Sequence, residues 1–394
     1  MSEVSRRQIV VGTASLAALS LALETKALAQ GTAKAAAAME IAKKVIAAPP
    51  LQPPAISMAV ANAQGVIWAG VLGQADIESG MATTASHSFR LGSVSKVVTT
   101  AAAAKLVSRR ILDLDAPIST WLPDLPEAHR QTTLRQLFTH RGGVRHYLPK
   151  DFDPRVSGGA IYQRSYPTNK EILAIFIDDP LVAPVGTRVS YSSFGYTLAS
   201  LAMEAAAKQS FTQLIASEIG TGFGLSSLAV DNPAAIIPLR AKGYSNMLDM
   251  GLVSKPAAEF WYAGSKERWL NIPYFNSAFC LAGGGYLMTP SDTARFGAAL
   301  LDSTAAKITA AERALLFTPL TEKAGDMPPL GLAWRIDADN KGRRRFHHAG
   351  TTLGGRYSLV IYPDQGLSIA IGSNMLATPG NVLQPSSDLV DVFA

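Results

Sequence analysis

The chain has 394 residues, of which 48% are hydrophobic and 17% are charged, so it can bury a large core and is long for one simple domain. We expect two lobes, or one domain with a large insertion. The net charge is only +6, and the basic cluster Lys341–Arg345 has no aromatic stacking platform or nucleic-acid module beside it. These features argue against a nucleic-acid partner, and we expect the cluster to be a solvated strand edge.

The N-terminus has the layout of a signal peptide. Arg6 and Arg7 precede an apolar run, 9–23, and Ala27-Leu28-Ala29 ends the segment. We therefore predict a signal peptide over residues 1–29 and a periplasmic or secreted protein. The paired arginines favour twin-arginine export, but Ile9 stands where that pattern usually has Phe, so Sec export stays open. We expect no stable membrane span after signal cleavage, because no other run is long and apolar enough.

Periodicity and breakers predict strands at both ends of the chain and helices between them. The predicted elements, in chain order, are an Ala-rich helix over 33–48, a β-hairpin of Ile56–Ala61 and Val66–Leu72, a helix starting near Ser93, short helical pieces over 111–279, a helix over Thr293–Leu301, strands over Leu332–Ile336, Arg356–Tyr362 and Leu367–Ser373, and a final helix over Ser386–Phe393. We expect residues 30–110 and 280–394 to share one sheet domain and residues 111–279 to form an inserted, mainly helical lobe.

The helix near Ser93 carries a serine and a lysine three residues apart. Residues i and i+3 share one helix face, so the Ser93 hydroxyl and the Lys96 amino group can meet over one cavity. A buried lysine loses its proton more easily than an exposed one and can then act as a base toward a hydroxyl. S-x-x-K is a known nucleophile motif, but by itself it fits equally well a helix with Ser93 as N-cap and a solvated Lys96.

Four further stretches accompany this motif. Tyr191 lies in a loop before a helix, His348 precedes a Gly-rich turn, and 133–143 and Gly283-Gly284-Gly285 lie at intermediate positions. In this order, the set resembles the serine β-lactamase, D,D-peptidase and esterase superfamily of the class C type. The phrase Gly143-Val144-Arg145-His146-Tyr147 is most similar to the branch that contains the mitochondrial serine β-lactamase-like protein.

The resemblance implies an α/β (α+β) protein with a β-lactamase/transpeptidase-like fold, in which helices flank a mostly antiparallel sheet. Ser93 would attack a carbonyl and form an acyl-enzyme, while Lys96 and Tyr191 would share the acid and base steps. His348 to Gly350 would stand at the K-T-G position. The backbone N–H groups of Ser93 and Thr351 would form the oxyanion hole.

Two positions depart from the family pattern. Ser193 stands in the place of Asn in the Tyr-x-Asn motif, and His348 replaces the Lys of the third motif. A histidine is mostly neutral at pH 7, so it offers no fixed charge to the carboxylate of a β-lactam or peptide. We therefore expect esterase-like preference with weak β-lactamase activity, unless Arg356 supplies the charge. Tyr244-Ser245-Asn246 and Tyr274-Phe275-Asn276 also match Tyr-x-Asn, but they lack the flanking pattern of Tyr191.

Other chemistries have less support. The sequence has no G-x-S-x-G elbow, no H-E-x-x-H motif and no thiolate cluster, and Cys280, its only cysteine, is expected to be a buried thiol. We expect no metal and no cofactor, and a small-molecule or peptide substrate. The leading hypothesis is an exported serine hydrolase that cleaves an ester, amide, peptide or β-lactam bond. The alternative is a non-catalytic penicillin-binding-like sensor or assembly scaffold.

Overall fold

The computed structural model describes residues 31–48, 52–302, 307–376 and 381–394. The predicted signal peptide, residues 1–29, lies outside the described residues. Within these ranges, every helix is too short or too polar to cross a membrane.

Twelve strands are present in the described part of the chain. In chain order they are β1 Ala55–Asn62, β2 Gly65–Asp76, β3 Met81–Ala82, β4 Phe89–Arg90, β5 Ala229–Val230, β6 Tyr244–Ser245, β7 Leu270–Asn271, β8 Tyr286–Met288, β9 Arg335–Ala338, β10 Arg344–Thr352, β11 Gly355–Tyr362 and β12 Leu367–Ser373. Seven of them form the main sheet in the order β3-β2-β1-β12-β11-β10-β9, and its neighbouring strands are antiparallel. The main sheet therefore takes strands from both ends of the chain.

The α-helices lie before, between and after these strands. In chain order they are α1 31–47, α2 Ser95–Ser108, α3 Glu127–Arg130, α4 Leu134–Phe138, α5 Pro149–Phe152, α6 Asn169–Leu173, α7 Ser193–Ala207, α8 Phe211–Ile215, α9 Met247–Gly251, α10 Lys255–Tyr262, α11 Leu281–Gly284, α12 Pro290–Leu301, α13 Ala310–Phe317 and α14 Gln384–Phe393. Short helices dominate 111–279. Our division of the chain into a sheet domain and an inserted helical lobe stays a proposal.

The main sheet is buried on both faces. One face packs on α1 and α14 through residues such as Met58, Ile369 and Leu389. The other face packs on α12, which contacts β1, β11 and β12. Side chains alternate between the two faces of a strand, so a sheet covered on both sides needs nearly continuous apolar strands, as in Leu367–Ser373. The predicted fold class, a mostly antiparallel sheet flanked by helices, is confirmed.

The predicted strand over Leu332–Ile336 is wrong at its start. The strand β9 begins at Arg335, because Ala333 has a φ of +69° and turns the backbone away from the sheet. The N–H of Leu332 bonds instead to the carbonyl of Leu316 at the end of α13, and the Trp334 ring packs 5.1 Å from that of Phe317. The apolar residues of this run therefore belong to the contact with α13.

The arginine cluster also differs from its prediction. The strand β10 lies between β9 and β11, so it is not an edge strand. Arg343 is mostly buried and bonds both to Asp339 in the preceding turn and to Asp391 in α14. Arg345 pairs with Asp337 across the hairpin. These arginines thus fix the β9–β10 hairpin and attach it to the last helix.

All six histidines of the chain lie in the described residues, and burial lowers the pKa of each below its ordinary value of 6.5. His146 is the clearest case, with a pKa lowered to about 3 by burial and then by nearby Lys96 and Arg145. Its Nδ1 accepts a hydrogen bond from the backbone N–H of Ser193 at 3.2 Å. The folded protein therefore keeps these imidazoles neutral.

This neutrality predicts acid lability. Below about pH 6.5 the histidines of the unfolded chain bind protons, whereas those of the folded protein do not. Their contribution to the free energy of unfolding is therefore fully present above that pH and is lost as the pH is lowered toward about 3. We expect the free energy of unfolding in urea to decrease between about pH 7 and pH 5, above the range in which ordinary carboxylates titrate. His146→Asn, whose side-chain oxygen can still accept from Ser193, should reduce the slope by up to ~1.4 kcal/mol per pH unit. A stability that does not change across this range would contradict the prediction.

Candidate active site

Ser93 lies in a 3-10 turn, Gly92–Val94, that leads directly into α2. The N-cap of α2 is Val94, and no side chain caps this helix. The Ser93 hydroxyl is therefore not used as a helix cap. Lys96 is fully buried. The alternative explanation of the motif, an N-cap at Ser93 and a solvated Lys96, is therefore not what the structure shows.

The side-chain nitrogen of Lys96 has three oxygen neighbours within hydrogen-bond distance. Nζ lies 3.2 Å from Ser93 Oγ, 2.9 Å from Ser193 Oγ and 2.7 Å from the carbonyl oxygen of Gly283. Three acceptors match the three donors of a lysine head group. The side chain of Ser193 is shorter than that of Asn, which the family pattern has at this position. It nevertheless reaches Lys96.

Tyr191 completes the contacts of Ser93. Its hydroxyl donates to Ser93 Oγ at 2.8 Å, and Lys96 Nζ lies 4.9 Å from the centre of its ring. Burial raises the pKa of Tyr191, but the positive charges of Lys96 and Arg335 outweigh burial, so the net pKa lies below its ordinary value of 10. The phenolate forms more readily here than in a free tyrosine.

Two histidines hold the backbone that carries Tyr191. The N–H of Ser192 donates to His140 Nδ1, and the N–H of Ser193 donates to His146 Nδ1, both at 3.2 Å. The His140 ring also lies 4.3 Å from the Tyr191 ring. Of the two histidines, His146 belongs to the segment that carries the resemblance to the mitochondrial branch, so this segment helps to position the backbone beside Tyr191.

The strand β10 approaches the Ser93 turn very closely. A Cβ at Gly350 would lie 1.9 Å from the carbonyl oxygen of Leu91, and one at Gly92, whose φ is +49°, would lie 2.8 Å from the backbone nitrogen of Thr351. Only glycine allows this approach. The backbone of Gly350 and Thr351 is thereby held beside Ser93.

His348 is buried behind the cleft surface. Its Nδ1 pairs with the carbonyl oxygen of Ala349 at 2.8 Å, and its pKa is lowered strongly by burial and then by Arg335 and Lys96. In β10 the residues that border the cleft include Ala349 and Thr351 but neither His348 nor Gly350. A direct contact between His348 and substrate, which the sequence analysis expects, stays a prediction.

The cleft above Ser93 has a volume of about 860 Å³. Two guanidinium groups border it on the side of the sheet, Arg335 on β9 and Arg356 on β11. Arg356 donates to the hydroxyl of Thr351, and no described residue forms a hydrogen bond or an ion pair with the Arg335 guanidinium. The cleft therefore has two guanidinium groups on this side even though His348 is neutral, and the carboxylates of Asp326 and Asp337 border it as well.

Sequence reasoning missed Arg335. The signal was an arginine within the apolar run Leu332–Ile336, where a charged residue needs a reason. Its importance becomes visible only in the fold, because its charge acts on Tyr191 and His348, which are distant in sequence. Arg356, which the sequence could not orient, does face the cleft.

The remaining candidates lie elsewhere or are inert. Tyr244 bonds to Asp76 and Asn246 caps α9, so neither residue contacts Ser93. Tyr274 is half exposed. Cys280 borders the cleft, but burial raises its pKa to about 12 and keeps it a neutral thiol.

No group of three or more His, Cys, Asp or Glu side chains in the described ranges could hold a metal ion.

Comparison with known proteins places these features in a family. The Beta-lactamase family model matches residues 44–385. The chain is 25% identical over 296 residues to the human serine beta-lactamase-like protein LACTB, mitochondrial, a match that covers 60% of this chain and 51% of that protein. It is also 31% identical over 110 residues to the esterase EstB of Burkholderia gladioli, covering 27% of this chain and 26% of the esterase. The matches thus cover about half the length of LACTB and about a quarter of the esterase.

A D-stereospecific amidohydrolase from Streptomyces sp. has a similar structure. The two superpose with a TM-score of 0.72 and 19% identity, over 91% of this chain and 98% of the amidohydrolase. At this identity, the likeness bears on the fold alone. The chain therefore belongs to the Beta-lactamase family and has the β-lactamase/transpeptidase-like fold, as its motifs predict.

Proposed function

We propose that this protein is an exported serine hydrolase that forms an acyl-enzyme on Ser93. The observation that carries the proposal is the pair of contacts at Ser93 Oγ, with Lys96 Nζ at 3.2 Å and the Tyr191 hydroxyl at 2.8 Å. A serine hydroxyl is a weak nucleophile unless an adjacent base takes its proton. Both residues that could do so are within reach.

The reaction has two stages. Ser93 Oγ attacks the substrate carbonyl while its proton passes to the Lys96–Tyr191 pair, and the backbone N–H groups of Ser93 and Thr351 stabilise the oxyanion. The pair then protonates the leaving group, and the C–O or C–N bond breaks. In the second stage a water molecule attacks the acyl-enzyme and gives a proton to the same pair. The pair returns this proton to Ser93 Oγ as the acyl C–O bond breaks, which releases the acid and restores free Ser93. Lys96 favours the phenolate of Tyr191, so the two residues act as one unit.

The substrate class depends on the charge of the cleft. His348 alone would favour uncharged esters, since it is neutral and buried. Arg335 and Arg356, however, border the cleft near Thr351. Guanidinium groups bind carboxylates through charge-assisted hydrogen bonds. We therefore propose a small ester or amide whose leaving group carries a carboxylate as the preferred substrate.

Labelling with a fluorophosphonate tests the nucleophile. Intact-mass spectrometry should show one adduct, which Ser93→Ala abolishes and Cys280→Ala retains, because the Cys280 thiol is neutral and buried. Turnover of p-nitrophenyl butyrate then separates an enzyme from a sensor, which would be acylated without fast release, and from a scaffold, which would only keep the fold. An adduct that survives Ser93→Ala would disprove the mechanism.

Single substitutions test the acid–base pair. Lys96→Ala should slow acylation by about a hundredfold or more, the usual contribution of a positioned base, and Tyr191→Phe should also impair turnover. Tyr196→Phe is the matched control: its hydroxyl donates to the carbonyl of Phe138 rather than to Ser93, although Lys96 Nζ lies 5.2 Å from its ring. Pre-steady-state rates of p-nitrophenol release measure the effect. Near-wild-type rates in both Lys96→Ala and Tyr191→Phe would show that these residues are wrongly assigned.

A pair of thioesters tests the charge of the cleft. We expect S-butyryl thioglycolate to be hydrolysed with a higher kcat/KM than its carboxamide counterpart, with the released thiol measured by Ellman's reagent. Arg335→Gln should reduce this preference by about tenfold or more, as expected for the loss of a hydrogen bond to a charged group. Arg344→Gln, on the exposed start of β10, should leave the preference unchanged. The same preference in wild type and Arg335→Gln would exclude carboxylate recognition by Arg335.

A further inference from the structure

The two walls of the cleft differ in chemical character. The wall on the side of the sheet carries Arg335, Asp337 and Arg356. The opposite wall is almost entirely apolar, and we call it the apolar wall. Its residues are Tyr147, Leu148, Pro149, Phe152, Leu252, Val253, Phe275 and Phe279. Ser93 and Ser193 lie between the two walls.

The apolar wall changes from buried to exposed along its length. Phe279 and Phe275 are 1% and 6% exposed, whereas Leu148 and Leu252 are 40% and 64% exposed. Phe279 lies four residues before Gly283, whose carbonyl oxygen accepts a hydrogen bond from Lys96. The Phe279 end of the wall is therefore the end near Lys96. The wall therefore runs from the reacting serine to a rim of leucines in water.

An exposed apolar rim that continues into a cleft indicates an apolar ligand. A ligand that covers the buried aromatic end alone would leave this rim uncovered. A flexible chain that starts at the reacting carbonyl can cover both parts. The cleft volume, about 860 Å³, lies within the range of sites that enclose small organic ligands.

We propose that the apolar wall binds the acyl chain of the substrate, and that this chain is medium-length, unbranched and apolar. The inference rests on the proposed function, because the carboxylate of the leaving group occupies the wall with Arg335. The acyl group is then directed to the opposite wall. The substrate class is an ester or amide of a medium-chain fatty acid with an anionic leaving group.

Chain length gives the first test. The chain is covered by one wall and is not enclosed by a pocket. Each added methylene should therefore raise kcat/KM by about 1.8-fold, which on a logarithmic scale is a little under half the effect of full burial. For p-nitrophenyl esters below their critical micelle concentration, octanoate should therefore exceed butyrate by about tenfold. A decrease from butyrate to octanoate would overturn the proposal.

Two leucines on one face provide a matched pair of variants. Leu252 and Leu248 are separated by four residues and both are exposed, at 64% and 56%, but only Leu252 borders the cleft. Leu252→Gln should lower the ratio of octanoate to butyrate hydrolysis by at least half of the tenfold gain, and Leu248→Gln should leave this ratio unchanged. An equal loss in both variants would indicate adsorption of the substrate to a surface patch and would overturn the proposal.

Binding without turnover separates this inference from the proposed function. In the Ser93→Ala variant, octanoylglycine should bind about tenfold more tightly than butyrylglycine by calorimetry, and the added Leu252→Gln substitution should reduce the difference. Equal affinities would exclude an acyl-chain site even if the wild-type enzyme hydrolyses esters. A tenfold difference would support the site even if no fluorophosphonate adduct forms and the proposed mechanism fails.

Discussion

The arrangement of the active site depends on one buried amino group. Lys96 is completely enclosed, and its Nζ can remain there only because Ser93, Ser193 and the carbonyl of Gly283 surround it with oxygen. These three partners come from the 3-10 turn before α2, from α7 and from α11, which are far apart in sequence. A polar group that needs all three partners fixes the relative positions of the helices that supply them. Ser93, Ser193 and the neighbouring Tyr191 are thus oriented by the same requirement that allows the lysine to be buried.

The sequence predicted the parts of the site that depend on local spacing. Ser93 and Lys96 share a helix face by their three-residue separation, and Tyr191 was distinguished from Tyr244 and Tyr274 by its flanking residues. The strands on either side of 363–366 and the helix before Leu301 were also recognised, because turn residues and apolar periodicity are local signals.

Other features depend on contacts that no local pattern encodes. The run 332–336 has strand-like composition, yet its first residues bond and pack against α13, so tertiary contacts override local preference. Arg335 acquires its role from the position of β9 beside the cleft. The orientation of His348 behind the cleft follows from the alternation of β10, whose register depends on its pairing with both β9 and β11.

The attachment of the β9–β10 hairpin to α14 has a consequence for the cleft. Arg335 begins β9, an edge strand, and the turn that follows is bound to α14 through Arg343 and Asp391. The contacts of the Ser93 hydroxyl described above come instead from Lys96 and Tyr191. A change at Asp391 in α14 therefore loosens the hairpin that carries both Arg335 and Thr351, and leaves the contacts among Ser93, Lys96 and Tyr191 unchanged. In a family with one catalytic centre, this gives a route by which relatives diverge in the substrates they select through changes far from the reacting serine.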